Sequence, residues 1–185
     1  MHLHNDGMPD YRRNRVPGGT YFFTVNLLER NSGLLVAHID VLREAVRKVR
    51  CARPFHIDAW VVVPDHMHAI WTLPPGDNDY SARWKAIKIA FAKALPKTER
   101  LSPVRVARGE RGIWQRRFWE HTIRDDGDYG AHMDYVHINP VKHGLVTCVR
   151  DWPYSSFHRC VARRVYAIDW AGQGAVDVVA GERGG

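Results

Sequence analysis

Two histidines separated by a single methionine, His66 and His68 in the run VVVPDHMHAIW, are the first residues of this 185-residue chain whose type and spacing could do chemistry. Side chains on a strand alternate faces, so both imidazoles fall on one side and Met67 on the other. Such a pair can grip one metal ion. The competing reading is a strand in which one histidine bonds to backbone and the other is half exposed. A second constellation lies in DYGAHMDYVHINPVKHG. On a helix, His132 (three residues before Tyr135) and Asn139 (four after it) share the face of Tyr135, while Met133 and Val136 turn elsewhere. A tyrosine hydroxyl so placed can serve as a nucleophile when a metal or base eases loss of its proton. It can equally be an amphipathic tyrosine whose ring packs, with Asn139 acting as a helix cap.

The elements that must position these residues follow from periodicity and punctuation. TYFFTVNLLE, Thr20 to Glu29, is dense in aromatic and β-branched residues and predicts a strand ended by NSG at 31–33. From Asp40, placed to cap, the positions Val41, Leu42, Ala45, Val46 and Val49 recur at helical spacing. FHIDAWVVV and HMHAIWTLP predict two strands joined at Pro64 and Asp65 as a hairpin. Trp84, Ile87, Phe91 and Leu95 then mark one face of a second helix that also carries Arg83, Lys85, Lys88 and Lys93. Residues 96–112 read as a long basic loop and Ile113 to Arg124 as a fourth strand. A third helix, carrying Tyr135, should begin among the acids Asp125 to Asp128 and end near Ile138, with Pro140 limiting it and NPVKHG forming a separate turn stopped by Gly144. The order is β-α-β-β-α-β plus this extra helix. It predicts an α+β protein with a ferredoxin-like sheet, its two crossover helices on one face. We divide the chain into a flexible basic arm at 1–19, a domain at 20–160 and a tail at 161–185.

Charge narrows the partner. Lys and Arg number 27 against 20 Asp and Glu, a net charge of +7, which favours a polyanion such as nucleic acid. Arg12, Arg13 and Arg15 in the arm and Arg116 and Arg117 beside the fourth strand are candidate DNA contacts; a solvated role is the alternative for each. No apolar run is long enough to span a bilayer and the first residues lack the apolar core of a signal peptide, so a soluble cytoplasmic protein without a membrane partner is expected. Cys51, Cys148 and Cys160 show no CxxC spacing and read as small buried residues.

VPDHMHAI together with WQRRFWEHTIRDDGDYGAHMDYVHINPVKHGLV resembles the REP-associated tyrosine transposases, relatives of insertion-sequence transposases in the HUH (histidine, hydrophobic, histidine) endonuclease superfamily. The resemblance runs from about Tyr11 to about His158. It implies that His66 and His68 hold Mg2+ or Mn2+, that Tyr135 attacks the DNA backbone, and that a polar ligand lies one turn after the tyrosine, where this chain has Asn139. His121, Asp65 and His132 are further candidates for the site. The implied activity is cleavage and rejoining of single-stranded DNA at REP-like hairpin palindromes through a covalent 5′-phosphotyrosine, in a bacterial, nucleoid-associated protein. The assembly is a monomer or a homodimer. Ligand chemistry pulls differently, since two imidazoles favour Zn2+, Ni2+ or Cu2+ and Mg2+ favours oxygen. Two other readings remain: a non-catalytic module that binds single-stranded nucleic acid on its sheet, and a zinc hydrolase built on His66, His68 and His121.

Overall fold

The computed structural model describes residues 13–99 and 101–171; Arg12, most of the expected arm and the end of the expected tail lie outside the described residues. Four strands, β1 (Thr20–Asn26), β2 (His56–Val62), β3 (His66–Thr72) and β4 (Trp119–Thr122), form one sheet in the order β2-β3-β1-β4. Every neighbouring pair is antiparallel, the arrangement of a ferredoxin-like β-α-β-β-α-β unit. Between the strands lie α1 (Leu34–Ala37), α2 (Ile39–Ala52), α3 (Tyr80–Ala94) and α4 (Pro103–Ala107). After β4 come α5 (Asp126–Lys142), a 3-10 turn at Val149–Asp151 and α6 (Phe157–Ala162). Among the described residues, no helix is long and apolar enough to cross a membrane.

Alternation along the strands builds two cores. Tyr21, Phe23 and Val25 of β1 and Met67, Ala69 and Trp71 of β3 meet Leu42, Ala45 and Val49 of α2 and Trp84, Ile87 and Phe91 of α3. Trp71 and Trp84 stack at 4.1 Å between ring centroids. The intervening residues, Phe22, Ala59, Val61 and Ile70, face the other way and are covered by Met133, Tyr135 and Val136 of α5. The tyrosine-bearing helix therefore lies across the sheet on the face opposite α2 and α3. His66 and His68, out of phase with Met67, open onto that face.

Several expectations are corrected. β4 covers only four residues of the expected 113–124. Ile113 and Trp114 are already buried in the α2/α3 core, and Trp114 makes only an isolated bridge to Leu27 before the chain turns away. α2 begins at Ile39, with His38 at its N-cap and Asp40 in its first turn. The basic loop contains α4. α5 does not stop before Pro140: it continues through it to Lys142, and Asn139 is an interior, fully buried residue, not a cap. Proline removes one N–H from the helix ladder. The next turn is nevertheless closed by the His143 amide on the Asn139 carbonyl (3.0 Å) and the Leu145 amide on the Pro140 carbonyl (2.9 Å). Gly144, at φ 66°, supplies the left-handed stop. Of the cysteines only Cys160 is buried; Cys148 is intermediate and Cys51 exposed. Arg83 of α3 is buried, paired with Asp77 at 2.6 Å and donating to the Pro54 carbonyl at 2.8 Å.

Candidate active site

β3 sets His66 and His68 side by side with ring centroids 4.9 Å apart, each nearly sealed from solvent. One nitrogen of each ring is already engaged. His68 Nδ1 is 2.9 Å from Thr24 Oγ1 on the neighbouring β1, and His66 Nδ1 is 2.7 Å from Asp65 Oδ1. Asp65 in turn is held by Arg30 at 2.6 Å. Such outer hydrogen bonds orient a ligating imidazole and leave its second nitrogen to bind. Burial, and then the nearby positive potential of His66, His143, Lys142 and Arg30, pushes His68 well below the ordinary histidine range, so it is neutral near pH 7 and its lone pair is free for a cation.

α5 brings the tyrosine to the pair. The Tyr135 ring lies edge-on to His68 at 5.2 Å and to Phe22 at 5.7 Å, and the Lys142 ammonium sits 4.5 Å over its centroid. One turn further along the helix, Asn139 is 1% exposed and its Oδ1 has no hydrogen-bond partner among the described residues. A buried carbonyl oxygen without a donor carries an uncompensated desolvation cost, which a bound cation would remove. Two imidazole nitrogens and one carboxamide oxygen are donors of a kind that bind divalent ions.

His143, two turns beyond Tyr135 at the C-cap of α5, places its ring 4.9 Å from that of His66. Sequence reasoning missed it, although the four-residue spacing Tyr135, Asn139, His143 would have shown it once the helix was carried past Pro140. Burial holds His143 below the usual histidine range.

The other candidates gather elsewhere. His121 of β4 and His132 of α5 converge on Asp128: His121 Nε2 is 2.8 Å from Asp128 Oδ2, and His132 Nδ1 is 2.8 Å from the Asp128 backbone carbonyl. Phe22 and Thr24 of the intervening β1 stand between them and His68. The only three His, Cys, Asp or Glu side chains among the described residues whose ligand atoms converge within 4.8 Å are His121, Asp128 and His132, so His121 does not join His66 and His68 and the zinc-hydrolase set is not assembled. Arg13 lies over the Phe118 ring at 4.2 Å and bonds Ser81 at 2.6 Å, on the α3 side. There it borders a basic groove of about 620 Å³ shared with Lys88, Arg105, Arg108 and Arg116. Arg15 and Arg117 are exposed.

The chain as a whole has counterparts among known proteins. A REP-associated tyrosine transposase of Escherichia coli (strain K12) is 54% identical over 95% of this chain and 98% of its own length. The chain belongs to the REP-associated tyrosine transposases. A Haemophilus influenzae protein assigned provisionally to the same family is 46% identical over 89% of this chain and 94% of its own. A solved REP-associated tyrosine transposase bound to a REP hairpin superposes with a TM-score of 0.79 at 54% identity, covering 95% of this chain and 98% of that one. No protein-family model matches the chain.

Proposed function

We propose that this transposase is a metal-dependent single-stranded DNA endonuclease and strand transferase that acts at hairpin palindromes through a covalent 5′-phosphotyrosine on Tyr135. The observation that carries this reading is the contact of Tyr135 with His68 beneath a helix whose next turn buries the Asn139 carbonyl oxygen without a hydrogen-bond partner among the described residues. His66, His68 and Asn139 would hold Mg2+ or Mn2+. When bound, such an ion polarises the scissile phosphate and neutralises charge gathering on its oxygens.

The chain's own groups account for the rest. Tyr135 Oη attacks phosphorus, its proton leaves to solvent, and the bond from phosphorus to the 3′ oxygen breaks as that oxygen takes up a proton. The products are a 5′-phosphotyrosine and a free 3′-hydroxyl, and attack by a 3′-hydroxyl on the phosphotyrosine rejoins a strand and regenerates Tyr135. Lys142, 4.5 Å over the centre of the tyrosine ring, adds a positive potential that would favour the phenol oxygen as it becomes negative. Thr24 and Asp65 hold the two imidazoles in register. The net charge of +7 and the relative found bound to a REP hairpin support hairpin DNA as the partner, with Arg13, Arg116 and neighbouring cations on its phosphates.

The test is cleavage of a labelled hairpin oligonucleotide with a single-stranded flank. Cleavage should require Mn2+ or Mg2+ and vanish in His68→Ala. Hairpin binding with no cleavage under either ion would instead identify a non-catalytic binding module.

A further inference from the structure

The geometry points to a second divalent-metal site, separate from the HxH pair, formed by His121, Asp128 and His132 and suited to a borderline transition ion such as Zn2+ or Co2+. One ring nitrogen of each histidine and a carboxylate oxygen of Asp128 lie within 4.8 Å of one another. Two imidazoles and one carboxylate form a set that binds Zn2+ or Co2+ and leaves positions open. Mg2+, which wants oxygen, would be a poor occupant.

The ligands sit on rigid elements. His121 is on β4, hydrogen-bonded to β1 at Phe22. Asp128 and His132 are four residues apart on α5 and so share one face of it. The His121 and His132 rings stack at 4.6 Å with only 14° between their planes, both turned toward the same carboxylate. Asp128 is 8% exposed and His121 25%, so the carboxylate is shielded while one edge of the cluster is open to an entering ion. Burial pushes the Asp128 carboxyl up, but hydrogen bonds from His121 and Arg124 outweigh this and hold it at about 2, so it is ionised at neutral pH. An exposed Arg124 side chain, 3.1 Å from Asp128, is the cation an entering ion would displace or share with.

An ion here would pin β4 to the start of the helix that carries Tyr135, one turn before the tyrosine. Its open positions would accept water or a phosphate oxygen. Phe22, packed at 4.8 Å on His132 and 5.5 Å on His68, stands between the two sites, so they are not a bridged pair sharing one oxygen.

Co2+ alone is the probe, added without DNA to the full chain carrying His66→Ala and His68→Ala, so that the result is independent of the proposed active-site ion. The parent should develop a visible d–d band, and the imidazole resonances of His121 and His132 should acquire paramagnetic shifts with the first equivalent. Either His121→Gln or Asp128→Asn in that parent should weaken the band-forming affinity by about 100-fold. Unshifted His121 and His132 resonances in the parent, or a variant that melts as the parent does and keeps its Co2+ affinity, would overturn the assignment. Loss of hairpin cleavage in the parent with this band retained would speak only for the HxH site.

Discussion

The rings of His68 and Tyr135 meet edge to face at 5.2 Å, although one belongs to the sheet and the other to a helix laid across it. A strand that faces α2 and α3 with Met67 and Trp71 faces α5 with His68, so the same alternation that builds the main core delivers the imidazole to the tyrosine.

Thr24 is a positioning residue for His68. Its hydroxyl lies 2.9 Å from His68 Nδ1 in a buried setting. Thr24→Val keeps the shape and removes the partner, so Mn2+ affinity, read by calorimetry without DNA, should fall by about 10- to 100-fold while the melting temperature changes little. An unchanged affinity would exclude this role.

Asn139 should reveal itself through metal-linked stability. An ion at 100 times its dissociation constant raises stability by about 2.7 kcal/mol. Asn139→Ala removes a buried side-chain oxygen of α5 that has no donor among the described residues, and a tenfold weaker site would forfeit about 1.4 kcal/mol of that gain. Melting with and without Mn2+ measures it; an equal Mn2+ shift in both proteins would remove Asn139 from the ligand set.

Asp77 should matter more to the fold than its surface position suggests. It neutralises Arg83, which is 2% exposed and otherwise bonded to carbonyls of Arg53, Pro54 and Asp79. Asp77→Ala leaves a buried guanidinium without its anion and should cost about 3 kcal/mol in urea unfolding. A loss below about 1 kcal/mol would mean the carbonyls suffice.

Lys88 gives the fold a pH signature. Burial first, and then Arg13, depresses its ammonium to about 8, while its Nζ donates to the Gln115 carbonyl at 2.8 Å. The unfolded chain regains a value near 10.5. Between those values the unfolded state holds a proton that the folded state has released, so stability rises with pH across this window, by at most about 3 kcal/mol. Lys88→Met should flatten that rise relative to wild type; parallel profiles would refute the assignment.

The site was legible where it rests on local periodicity. Period-two alternation placed His66 and His68 together, and the 3.6-residue repeat put Tyr135 and Asn139 on one face. What stayed hidden depends on tertiary packing. Pro140 reads locally as a stop, yet the buried face of α5 carries the helix past it, and with it His143. The acids at Asp125 to Asp128 read as complements to the helix dipole, and nothing local joins Asp128 to His121 on the strand before it. Arg83 matches its helix neighbours in sequence and differs only because the chain around Arg53 and Pro54 folds over it.

The central claim is that Tyr135 becomes the covalent link to DNA. Incubation of the protein with a hairpin oligonucleotide and Mn2+, followed by protease digestion and mass spectrometry, should find a DNA 5′-phosphate on the peptide containing Tyr135. Tyr135→Phe should bind the same hairpin with unchanged affinity and form no adduct. An adduct that persists in Tyr135→Phe, or that maps to another residue in the wild-type protein, would contradict the account.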